Sequence, residues 1–164
     1  MPGQAMTPRE AASALISAMP VGVLEFHLDE YGIEATAERA HALTRTILSL
    51  NLFWMYAAIE AHIPTKYQQA VSELVLKTIE SGWGTTYPVG PVAWSTFLTE
   101  WKERTQQYER LVREGMSPLG ISAEIGMWLE EEGSVNEEDR KNVLTLLIDS
   151  VPVETYGRLL EEAG

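Results

Sequence analysis

Residues 50–59 read LNLFWMYAAI, nine apolar side chains and one asparagine, in a chain of 164 residues whose formal net charge is -12. Between Ala35 and His62 there is neither proline nor glycine, and Ala37, Ala40, Leu43, Ile47, Leu50, Trp54 and Ile59 recur every three to five residues. That spacing predicts one helix of about 28 residues. A helix that is apolar all round must be covered on all sides. Two coverings are open from the sequence. Either this is the central helix of a bundle, or one face, with Phe53, Trp54 and Tyr56, is buried by a second copy of the chain. Asn51 sits in the middle of the run and needs hydrogen-bond partners if buried; between helices, a paired asparagine fixes register. Asn51, Phe53, Trp54 and Tyr56 are therefore candidate interface residues, and a homodimer is expected.

Helical punctuation surrounds this segment. Thr7, Pro8 and Glu10 supply an N-cap, a first-turn proline and the third-position carboxylate of a capping box, predicting a helix over 8–19. Residues 1–6 precede it as an expected disordered tail. Thr65 caps a stripe of Tyr67, Ala70, Val71, Leu74, Val75 and Thr78 that stops at Gly82. From Pro91, the residues Trp94, Phe97, Leu98, Trp101, Thr105, Tyr108, Leu111 and Val112 keep one face for five turns, up to Gly115. Ser117 and Pro118 open a shorter helix closing at Gly133, Asn136 and an acidic first turn open the next, and a last one follows Pro152. Residues 20–32, PVGVLEFHLDEYG, fit a helical stripe of Val21, Leu24, Leu28 and Tyr31. They also fit a strand alternation of Leu24, Phe26 and Leu28 with Glu25, His27 and Asp29. Helix is preferred, because a lone strand has no partner in a helical chain. The expected architecture is all-α, a single-domain helical bundle of about six or seven helices over 1–164, with the long helix at its centre.

Composition narrows the function. Lys and Arg number 12 against 24 Asp and Glu, and no basic stripe occurs, so a phosphate backbone would be repelled and nucleic acid is not an expected partner. The segment Ile47 to Ile59 is interrupted by Ser49 and Asn51 and falls short of the ~20 residues of a membrane span. The N-terminus lacks a basic region ahead of its apolar part, a poor secretory signal. With no cysteine, there is no disulfide framework and no thiolate zinc site, and a cytoplasmic location is expected.

Four features carry possible chemistry. Three histidines have acidic neighbours: Glu25, His27 and Asp29; Glu38 and His41; Glu60 and His62. Glu38 and His41 have the Glu-x-x-His spacing of di-iron bundles, but no second such pair occurs, and His41 and His62 lie about 30 Å apart along one helix. Ion pairing or capping is the expected role of each, with no metal and no cofactor. The run from Glu130 to Asp139 fails as a calcium loop, because its glycine falls fourth and its twelfth position is Lys141. Glu130, Glu131 and Glu132 sit at the negative end of a helix, a local conflict that marks them as a candidate contact for a basic protein. The loop SGWGTTYPVG, 81–90, has no phosphate-binding order of glycines, but Trp83, Tyr87 and Trp94 are candidate walls of an apolar ligand pocket. No nucleophile motif singles out a catalytic residue. The leading expectation is a non-enzymatic acidic interaction or regulatory protein of adaptor or chaperone type, self-associating through helices. A bundle holding a small apolar ligand is the alternative, and a carboxylate and histidine metal enzyme is the weaker third.

Overall fold

In the computed structural model, which describes residues 6–163 with side chains through Glu161, eight α-helices follow one another among the described residues. They are α1 (Pro8–Ala18), α2 (Glu25–Glu30), α3 (Ala37–His62), α4 (Thr65–Ser81), α5 (Trp94–Arg113), α6 (Pro118–Glu131), α7 (Arg140–Ser150) and α8 (Val153–Ala163). A short 3-10 turn, Glu137–Asp139, leads into α7. The architecture is an all-α bundle, with one helix beyond the upper expectation because the ambiguous segment 20–32 forms the six-residue α2. The strand reading of that segment falls away. Most of the expected tail, 1–5, lies outside the described residues; Met6 packs on the core.

The punctuation explains the boundaries. At α1, Thr7 Oγ1 accepts the Glu10 backbone N–H while the Glu10 carboxylate accepts that of Thr7, the reciprocal pair that satisfies two otherwise orphaned donors. Thr36 caps α3 by accepting from the Arg39 N–H, which places its start two residues beyond the expected Ala35. Ser117 does the same for α6 through Gly120. Pro64 fills the position before α4 without a side-chain cap, so Thr65 is the first helical residue and not the cap.

At 26 residues, α3 is about 39 Å long. It is long and apolar enough by composition to cross a membrane, yet 67% of its most apolar window is buried inside the fold. Its apolar girth has a simple cause. Leu48, Leu52, Met55 and Ile59 line one flank and enter a core shared with α1, α4, α8 and the first half of α5. Ala40, Leu43, Ile47 and Leu50 line the opposite flank and enter a second core shared with α2, α6, α7 and the second half of α5. One helix therefore separates two cores, and Trp54 packs against both. Direct backbone neighbours of α3 are α2, α4, α5 and α8, while α1 pairs with α4 and α6 with α7. Much of the covering that the sequence left open is supplied by the chain itself, while Trp54 and Tyr56 stay partly exposed.

Two loops are locked onto α3 by glycines. Gly22 has φ +134°, and a Cβ there would come within 2.5 Å of the Thr44 side chain, whose hydroxyl accepts from the Val23 N–H and donates to the Val23 carbonyl. Gly90 has φ +77°, and a Cβ there would strike the His41 ring at 2.6 Å, while Arg45 donates to the neighbouring Val89 carbonyl at 2.7 Å. Side chains larger than hydrogen would lift either loop from the helix.

Candidate functional site

Asn51 is fully buried and fully employed. Its Nδ2 donates to the Ile47 and Ser150 carbonyls at 2.9 and 3.1 Å, and its Oδ1 accepts from the Tyr156 hydroxyl at 2.6 Å. The asparagine does fix register, as its sequence position suggests, but between α3, α7 and α8 of one chain. As a candidate contact with a second copy it is corrected: nothing of it reaches the surface. Phe53 is 8% exposed and stacks edge-on with Trp54 and Tyr108, and Trp54 and Tyr56 are half-buried.

The three aromatic residues proposed as pocket walls belong to one apolar cluster. The Trp83 and Trp94 rings lie 5.1 Å apart, both pack on Phe97, and the Trp83 Nε1 donates to the Val92 carbonyl. Tyr87 is 3% exposed, in the same core. This cluster fastens the 81–92 loop to the start of α5, with the rings in contact with one another.

The acidic run is partly neutralised within the chain. Arg140 pairs with Glu130 at 3.4 Å, and Arg104 donates to Glu132, so two of the three carboxylates at the negative end of α6 face guanidinium groups. Glu131 alone stays exposed without such a pair. The conflict read from the sequence is thus eased by arginines 28 and 10 positions away, Arg104 for Glu132 and Arg140 for Glu130. Two of the histidines sit against backbone: His27 Nδ1 accepts the Leu24 N–H at 2.9 Å and the His41 ring lies close against Gly90. Among the described residues no group of three or more His, Asp and Glu converges as a metal site would require.

Several clefts and exposed apolar side chains remain among the described residues, and two stand out. One is a cleft of about 570 Å³ between α3, α4 and α5, walled by Phe53, Tyr56, Ile59 and Val112 and floored by Trp101 and Thr105. The other is the segment before and within α2, where Val21, Leu24 and Phe26 are 48%, 47% and 55% exposed. Leu28 beside them is completely buried, so the segment is anchored on one side and presents apolar groups on the other. Sequence reading missed both. For the cleft, the available signal was a threonine, Thr105, in the middle of an otherwise apolar stripe. For the α2 segment it was the coincidence of helix and strand patterns, which left too many apolar residues for either face.

The fold and these two places define a class, an all-α bundle with a lateral cleft and a separate apolar surface segment. Compared with known proteins, the chain matches no family model, no curated protein and no solved structure.

Proposed function

We propose that this is an acidic interaction protein of adaptor type, which docks a basic, amphipathic segment of a partner protein on the α2 surface. The observation that carries this reading is the exposed trio Val21, Leu24 and Phe26 on a backbone that is already fixed. Gly22 and Thr44 hold the loop, His27 receives the Leu24 N–H, and the Tyr31 hydroxyl donates to Asp149 at 2.5 Å at the far end of α2. That bond to a carboxylate, followed by burial, raises the Tyr31 phenol above its ordinary value, so it remains a donor throughout the neutral range. A surface ordered before binding loses little entropy on docking.

Charge selects the partner. Glu25, Asp29 and Glu30 stand exposed around the trio, within a chain carrying twice as many acidic as basic residues. Apolar anchors with an acidic rim complement a segment that presents leucine-like and lysine-like residues on neighbouring faces, with charge steering the encounter and apolar burial holding the complex. Of the three glutamates that end α6, Glu130 and Glu132 are occupied by arginines and Glu131 is exposed. Much of α3 is covered by its own chain, so a homodimer would use the partly exposed Trp54 and Tyr56 or another surface.

Titration with a synthetic helical peptide of alternating Leu and Lys faces tests the reading. The expected result is saturable binding weakened about tenfold by Leu24→Ala with Phe26→Ala, and weakened further as salt rises. Unchanged affinity in that double variant overturns the proposal, and so does mass measurement showing the same trio buried between two copies.

A further inference from the structure

Four buried side-chain polar atoms lack a hydrogen-bond partner among the described residues: one nitrogen of Arg39, one oxygen of Glu130, the Trp101 Nε1 and the Thr105 Oγ1. The two charged groups are accounted for by ion pairs, Arg39 with Glu34 at 2.7 Å and Glu130 with Arg140 at 3.4 Å. Trp101 and Thr105 are not. They stand one helical turn apart on α5, on the same face, and both line the 570 Å³ cleft.

Their behaviour departs from that of their own kind. Helical threonines usually turn the hydroxyl back to the carbonyl four residues earlier. Thr46, Thr78, Thr99 and Thr145 do so here, and Thr44 instead bonds the Val23 backbone. Thr105 does not, although the same bond is available to it. The Trp83 indole finds a carbonyl at 2.6 Å, while that of Trp101, a residue only 8% exposed, finds none. An indole N–H can only donate, and a buried donor left empty costs about 1–3 kcal/mol.

We propose that the α3–α4–α5 cleft is a binding site for a small, neutral, largely apolar molecule bearing a carbonyl-type acceptor, which takes up the Trp101 N–H and the Thr105 hydroxyl. The volume lies within the roughly 300–1,000 Å³ range of small-molecule pockets. Phe53, Tyr56, Ile59 and Val112 supply the apolar walls. Glu60, Glu109 and Arg113 leave the lining one net negative charge, which disfavours an anion, and the apolar walls favour an uncharged ligand over a cation. Tyr56 is the wall that yields. Its ring meets Trp101 edge-on at 5.2 Å, and its hydroxyl lies 3.5 Å from the Ser72 carbonyl, beyond the length of a well-formed O–H···O bond. Little therefore holds the phenol over the indole, and its displacement brings the ligand to the two orphaned groups.

The probe is prodan, a neutral naphthalene ketone whose emission shifts to the blue on leaving water. The full chain is expected to bind it saturably at one site. Ala57→Phe, which fills the cleft from a half-exposed position, should abolish that binding. Trp101→Phe with Thr105→Val keeps the shape and removes the polar pair; it should weaken prodan about fivefold while leaving the affinity of the same ring system without its ketone unchanged. Absence of saturable binding to the wild-type chain overturns the proposal, as does full binding by Ala57→Phe or wild-type affinity in the double variant. Leu24→Ala with Phe26→Ala should leave prodan binding intact; loss of binding there would mean that the probe reads the α2 surface, and would overturn the cleft assignment without touching the docking proposal.

Discussion

Asn51 and the pair Trp101 and Thr105 carry buried polar atoms in neighbouring helices, although Thr105 as a residue is only half-buried, and they are treated in opposite ways. Every hydrogen-bonding atom of the Asn51 side chain but one proton-acceptor lone pair is engaged, by α3, α7 and α8. The Trp101 and Thr105 groups have no partner, with an open cleft beside them. A satisfied buried amide specifies which helices meet and in what register, whereas an unsatisfied pair beside a cavity stabilises nothing in the free protein. The difference separates what holds this fold together from what it holds in reserve.

Substitution is the sharpest way to break that comparison. Asn51→Ala removes three hydrogen bonds, strands the Tyr156 hydroxyl and the Ser150 carbonyl in the core, and opens a void. A loss of about 3–5 kcal/mol is expected in denaturant unfolding. A loss below ~1 kcal/mol would show that the network is not a structural anchor. Alkali supplies the next largest effect. Burial pushes the Tyr108 phenol up to about 12, against the lesser opposing effect of its bond with Ser49, and burial alone raises Tyr156 as well. With folded values above the unfolded 10, the unfolded chain holds fewer protons between pH 10 and 12. Stability is then fully present below pH 10 and falls as pH rises through 12, by on the order of 2–3 kcal/mol for Tyr108. Unfolding midpoints measured from pH 8 to 11.5 should decline only above 10, and Tyr108→Phe should flatten that decline. Tyr156→Phe, which leaves only the Asn51 oxygen without its donor, is expected to cost about 1–2 kcal/mol at neutral pH.

How much of this was legible in the residues follows the range of the forces involved. The caps at Thr7 and Ser117, the length of α3 and the amphipathic α5 depend on neighbours three or four positions away, and periodicity shows them directly. The fate of Asn51 depends on Ser150 and Tyr156, about a hundred residues distant, so the sequence could state its need for partners but not who provides them. The same holds for Glu132 and Arg104, whose pairing quiets an acidic run that looked like a docking site. Trp83, Tyr87 and Trp94 do fall in one cluster, but aromatic spacing reports proximity and not whether the rings enclose a space. Thr105 was visible as a polar residue in an apolar stripe; that its hydroxyl would shun its own helix is a matter of rotamer and packing that no pattern encodes.

The smallest effect tests the other side of the comparison. Trp101→Phe with Thr105→Val deletes two polar groups that make no hydrogen bond, keeps an aromatic ring against Tyr56 and keeps the branched shape at 105. Replacing a buried unsatisfied group by an apolar one of similar shape is neutral or stabilising, so the double variant should lie within about 1 kcal/mol of the wild-type chain, on the stable side. A matched pair of melts, with Asn51→Ala as the reference for a satisfied group, reads this directly. Destabilisation by ~2 kcal/mol or more would mean that the indole and hydroxyl are held by ordered water in the free protein. Their place beside the cleft would then be a matter of internal solvation, and the contrast with Asn51 would vanish.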